Sequence, residues 1–198
     1  IAIFADNAIK YTGAVPLGGQ NLTNDIAFGL RTPISAAEKI KIKYGCCLGE
    51  MVSPDETIEV PSVGGRPSRQ VARQVLAAIC EPRMEEIFFH NQELERSGYK
   101  RKIGAGVVLT GGSSLIEGAQ ELAEQIFGLP TRIGSPQNLG GGFTEMVSNP
   151  KYATAVGLLF YGAENEGASE PIFAETDSDS GVLSKVLNHM KKWFSEIK

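Results

Sequence analysis

The sequence predicts an α/β protein that carries a smaller helical insertion and ends in a detached amphipathic helix. Three observations predict it: β-rich segments at both ends of residues 1–163, a charged helical stretch over 32–102 between them, and an abrupt change of charge after Ala163. The chain has 198 residues, 42% hydrophobic and 21% charged, with a formal charge of −4. That is a globular composition, long enough to bury a core without disulfides or metals. The mildly acidic balance lacks the block of Lys and Arg that a phosphate backbone requires, so no nucleic-acid partner is expected. Cys46, Cys47 and Cys80 cannot make a complete disulfide set, which favours a reducing compartment.

Ile1–Ala5 reads as a strand already under way, so the chain is expected to be a C-terminal fragment. Asp6-Asn7 then separates it from a second β-rich run, Ala8–Val15, as in a hairpin. After Pro16-Leu17-Gly18-Gly19, the period of Leu22, Ile26 and Leu30 predicts a helix over Asn21–Leu30. Thr32-Pro33 supplies an N-cap and first-turn proline for a helix Ser35–Tyr44 that Gly45 stops. Thr57–Val63 reads as a strand, and Ser68–Gly98 as a long helical stretch broken or restarted at Pro82. A second α/β block follows: a buried strand Ala105–Thr110, the turn Gly111-Gly112-Ser113, a helix Leu115–Phe127, a strand Thr131–Ile133 and a closing helix Pro150–Tyr161. This order implies a largely covered sheet.

Several chemistries are missing from the sequence. There is no G-x-x-x-x-G-K-[ST] phosphate loop, no G-x-G-x-x-G after a strand and no G-x-S-x-G elbow. With only His90 and His189, and no C-x-x-C, a His/Cys zinc site lacks ligands, and both histidines read as solvated surface residues. Two stretches are more suggestive. Thr110-Gly111-Gly112-Ser113 places two glycines at a strand end, where backbone can approach a flat ligand and a helix start offers free N–H groups. Taken alone, it reads more simply as a tight β–α connection. Glu38 and Lys41, three apart, share one helix face and suit ribose hydroxyls and phosphates, although, taken alone, a solvated ion pair is the simpler account.

Taken together, in this order and spacing, the stretches resemble the second half of an actin/heat-shock-chaperone/sugar-kinase ATPase. The chain is identified as a member of the FtsA family of bacterial cell-division proteins. The likeness runs through residues 14–25 (Ala14-Val15-Pro16-Leu17-Gly18-Gly19 onward), Ala37-Glu38-Lys39-Ile40-Lys41, Ile58–Pro67 and Thr110-Gly111-Gly112. It continues through Thr131–Pro136 and Asn149–Leu159, so it covers nearly all of residues 1–163.

The resemblance implies an RNase-H-like subdomain 2A made of residues 1–31 and 103–163, with 32–102 as the inserted subdomain 2B. It implies ATP, with Mg2+, held by Glu38 and Lys41 at the ribose and by Gly111, Gly112 and Ser113 along the adenine. It implies actin-like filaments that tether FtsZ to the cytoplasmic membrane at the division septum and recruit later division proteins. The FtsZ C-terminal tail would dock on 2B at Arg69 and Arg83, whose guanidinium forks suit carboxylates; arginines on a wet face, paired with Glu85 and Glu86, are an equal reading of the same residues. The family's D-x-G-x-G-T-x-D phosphate loop is expected before Ile1, so residues 1–198 are not expected to hydrolyse ATP by themselves. Other actin-like membrane proteins, such as shape-determining filaments and pilus-assembly ATPases, remain alternatives, as does a kinase or chaperone ATPase of the same superfold.

The tail can be read without the family. Residues 164–181 carry six acids and no Lys or Arg among Gly, Ser and Pro, the composition of a flexible linker with a reach of about 21–25 Å. Residues 182–198 carry four lysines and one acid. On a helix, Val182, Leu183, Val186, Leu187, Met190, Trp193, Phe194 and Ile197 fall within an arc of about 140°. Lys185, Lys191 and Lys192 fall outside it and can meet anionic headgroups. Seventeen residues give ~25 Å of helix, too short and too charged to span a bilayer, so the expectation is a peripheral anchor lying in the interface.

Overall fold

The computed structural model describes residues 1–89, 97–99, 103–139 and 144–164. Ile1–Leu158 form one compact unit, and the final helix, Ala153–Glu164, runs into a second unit that begins at Leu159. The linker and the amphipathic tail expected over 164–198 lie outside the described residues from 165 onward.

The amino-terminal hairpin forms as expected: β1 (Ala2–Ala5) pairs antiparallel with β2 (Ala8–Thr12). Asp6 and Asn7 take φ of 52° and 57°, the double left-handed turn whose twist matches a hairpin. The register slips between Ile3 and Phe4, so that Ile3 faces Tyr11 while Phe4 faces Ile9.

Helix α1 (Gly19–Gly29) buries Leu22 and Ile26, with Leu30 just past its end. It packs on α2 (Ile34–Tyr44), which contributes Ala37 and Ile40 to the same core. Thr32 does not cap α2. Its hydroxyl donates to the Pro61 carbonyl at 2.7 Å, and Pro33 occupies the cap position, its own carbonyl accepting from Ala36 and Ala37.

The strand expected over Thr57–Val63 ends at Val60 (β3, Thr57–Val60). Its partner is β4 (Arg69–Ala72), in a stretch whose pattern suggested helix. The connecting loop turns at Gly64 and Gly65, with φ of 70° and 71°. Pairing therefore decides β4: Val71 lies opposite Ile58, and both are buried.

Helix α3 (Arg73–Phe89) begins directly after β4 and passes through Pro82 without a break. A proline inside a helix costs about 3 kcal/mol. The helix survives because Leu76, Cys80, Met84 and Phe88 form one buried stripe on both sides of it. Phe88 ends the stripe against Phe127, with ring centroids 5.9 Å apart.

The second block departs further from expectation. Strand β5 (Val107–Leu109) is short and not buried, Val108 being 50% exposed. It pairs in parallel with β6 (Thr131–Ile133), as expected for a β–α–β connection. The described strands form three separate pairs, not one covered sheet. The helix after the glycine turn starts late: Gly112–Leu115 is a 3-10 turn, Ile116 is extended and Gly118 has a φ of 75°. Helix α4 (Ala119–Phe127) begins only there, and Pro150–Tyr152 is likewise a 3-10 turn before the last helix.

Arg73 joins these parts. Its guanidinium donates to the Tyr44 carbonyl at 2.9 Å, to Glu56 at 2.7 Å and to Glu117. The three cysteines are buried and free of disulfides; burial pushes the Cys80 thiol up to about 12, so it is not a reactive thiolate.

Candidate functional site

Helix spacing puts Glu38 and Lys41 on one face of α2, and packing turns that face toward the start of α1. The Lys41 side chain is almost wholly buried, while the Glu38 side chain is 43% exposed. Lys41 Nζ lies 2.7 Å from Glu38 Oε2, 2.8 Å from Thr23 Oγ1 and 3.0 Å from the Gly19 carbonyl. Thr23 also contacts Glu38 Oε2 directly. Partial burial works against charge on Glu38, but hydrogen bonds from Lys41 and Thr23, with the lysine's charge, outweigh it and lower its pKa.

Gly19 lets a second element into this cluster. A Cβ there would collide with Ser113 Oγ and lie 3.4 Å from Lys41 Nζ, so Ser113 lies against the first turn of α1 beside the buried lysine. Gly111 reaches a φ of 90° and donates its N–H to the Pro150 carbonyl at 3.1 Å. Gly112 follows, with Lys151 Cβ 3.8 Å from where its own Cβ would be. The structure thus gathers Glu38, Lys41 and Ser113, and seats Gly111 and Gly112 on the Pro150–Lys151 turn. Sequence reasoning missed Thr23 and Gly19 as members of the cluster. The available signal was a polar residue one turn after a Gly-Gly pair, at a position the helix buries.

Arg69 and Arg83 have different surroundings. Arg83 is held by both oxygens of Asp25, one at 3.1 Å, and by Glu86; the hydrogen bond to Asp25 leads in raising its pKa. Arg69 donates to the Leu30 carbonyl at 2.6 Å and lines a cavity of about 630 Å3 with Arg31 and Arg66, a cavity lined by no acidic side chain and not by Arg83. Arg31 takes a left-handed φ of 47°. The membrane-binding residues expected between Val182 and Ile197 lie outside the described residues. Among the described residues, no helix is long and apolar enough to cross a membrane, and no His/Cys/Asp/Glu group could hold a metal ion.

Residues 1–157 match the family described as Cell division protein FtsA. This chain belongs to the FtsA family. It is 48% identical over 196 residues to the FtsA of Pseudomonas aeruginosa, 98% of this chain and 47% of that protein. Against the FtsA of Neisseria meningitidis it is 42% identical over 199 residues, and against that of Escherichia coli K12, 41% over 204; each match takes in 98% of this chain. The chain spans about half the length of these curated relatives. Among solved structures, MreB5 of Spiroplasma citri bound to ADP superimposes with a TM-score of 0.58 over 83% of this chain and 50% of that one, at 16% identity. The fold is therefore actin-like, and FtsA membership places the chain among cell-division proteins.

Proposed function

We propose that this FtsA-family chain forms one wall of an ATP cleft in a protein that assembles into actin-like filaments and tethers FtsZ to the cytoplasmic face of the membrane at the division site. The observation that carries the nucleotide reading is the cluster at the start of α1: a half-exposed, charge-stabilised Glu38 fixed by Lys41 and Thr23, with Ser113 alongside. These residues fit a nucleoside. A carboxylate accepts from ribose hydroxyls, and Gly111 leaves open space beside its backbone for a flat base. The solved neighbour is bound to ADP, which supports the nucleotide reading. Bound ATP with Mg2+ would supply the triphosphate, and Glu38, Gly111, Gly112 and Ser113 would orient its nucleoside. In the full-length protein, Glu38→Ala should weaken ATP binding about tenfold by calorimetry. Unchanged affinity would remove Glu38 from the site.

For FtsZ, the Arg31, Arg66 and Arg69 cavity is the better seat for an acidic tail, because Arg83 already has carboxylate partners. Arg66→Glu should abolish much of the binding of an FtsZ C-terminal peptide at low salt and flatten its salt dependence. Binding equal to wild type would put the peptide elsewhere. Residues 182–198 supply the membrane contact in this reading, and filaments would present many such helices to one surface. Trp193→Glu should stop the full-length protein co-sedimenting with anionic vesicles; sedimentation like that of wild type would show a different anchor.

A further inference from the structure

We propose that Thr23 is a positioning residue of the nucleotide site, presenting Glu38 to the ribose while Lys41 anchors the pair. The inference rests on the nucleotide reading above. An ammonium has three protons to donate. Those of Lys41 have three acceptors, Glu38 Oε2, Thr23 Oγ1 and the Gly19 carbonyl, and the residue is 8% exposed. Lys41 thereby holds Glu38 and Thr23 together at the start of α1.

Thr23 has no exposed surface and a single hydroxyl proton. Its oxygen accepts from Lys41, which can only donate, so the proton goes either to Glu38 or to the Gly19 carbonyl 3.0 Å away. The ionised carboxylate is the stronger acceptor. Both donors therefore converge on Oε2 of Glu38, and no bond from a described residue reaches Oε1. The side chain is 43% exposed and pinned by one oxygen, which leaves the other to accept from adjacent ribose hydroxyls. Without the Thr23 hydroxyl, Glu38 keeps its charge partner and loses the second donor that fixes where its free oxygen points.

The test uses the full-length protein and compares ATP with 2′,3′-dideoxy-ATP by calorimetry. Wild type should prefer ATP. Thr23→Val should lower ATP affinity about tenfold, close to that for the dideoxy nucleotide, and leave the dideoxy affinity within about twofold; Thr23→Ser should restore ATP. Thr23→Ala repeats the test with a smaller side chain should valine disturb the packing. Equal losses for both nucleotides, or no loss for either, would overturn the positioning role, as would failure of both variants to fold. A wild type that binds ATP but does not tell the two nucleotides apart would overturn Glu38 as the ribose acceptor and this inference with it. A wild type that binds neither would overturn the nucleotide reading itself.

Discussion

Gly106→Ala should destabilise the protein by about 3 kcal/mol or more, read as a lower urea midpoint. Gly106 has a φ of 86°, a conformation that L side chains rarely adopt, and a Cβ there would collide with the Pro130 carbonyl oxygen and lie 3.1 Å from its carbon. Both atoms are backbone, so no rotamer change relieves the contact. The next residue makes the damage specific, because Val107 donates to that same Pro130 oxygen at 2.8 Å and opens the β5–β6 ladder. Displacing Pro130 shifts β5, which ends at Leu109 and leads into the Gly111-Gly112 turn, so ATP binding should fall as well. An unchanged midpoint would show that the β5–β6 pair tolerates a different entry at Gly106.

Lys41→Met should cost about 2–4 kcal/mol in folding and most of the ATP affinity. The substitution keeps the volume of the chain but leaves the Gly19 carbonyl, Thr23 and Glu38 without their shared donor. Because Glu38 is half exposed, water can take over part of the loss, which holds the figure below that for a fully buried pair. The pH dependence has a definite sign. The folded pKa of Glu38 is lowered, so its contribution is complete above the ordinary value of 4.5 and disappears as pH falls through the folded value. The gap between wild type and variant should accordingly be widest near neutral pH and shrink below about 4.5. A gap that stays constant into acid would mean that Lys41 acts through packing alone.

Much of the fold was legible where a residue's conformational need is local. The Asp6-Asn7 turn, α2 up to Gly45 and β6 at Thr131–Ile133 all follow from turn chemistry or short-range pattern. What was not legible depends on partners distant in the chain. β4 has a single inward residue, Val71, and becomes a strand because Ile58 lies opposite it. Pro82 looked like a break because the gain from Cys80 and Met84 in a common core is invisible to propensity. The same division holds for the site. The spacing of Glu38 and Lys41 put them on one helix face, but Thr23 joins them only through the packing of α1 on α2. Arg69 and Arg83 looked alike in sequence, and what separates them is Asp25, 58 residues before Arg83.

Arg73 also bears on how the chain reaches this state. Its three acceptors lie 17, 29 and 44 residues away along the sequence, at Glu56, Tyr44 and Glu117. Each closure of a loop costs entropy before any contact offsets it, and non-local contacts slow folding. The guanidinium can fill all its positions only when the β3–β4 hairpin, the end of α2 and the approach to α4 have already met. A latch of this kind, completed only after those elements meet, is expected to slow unfolding more than it speeds assembly.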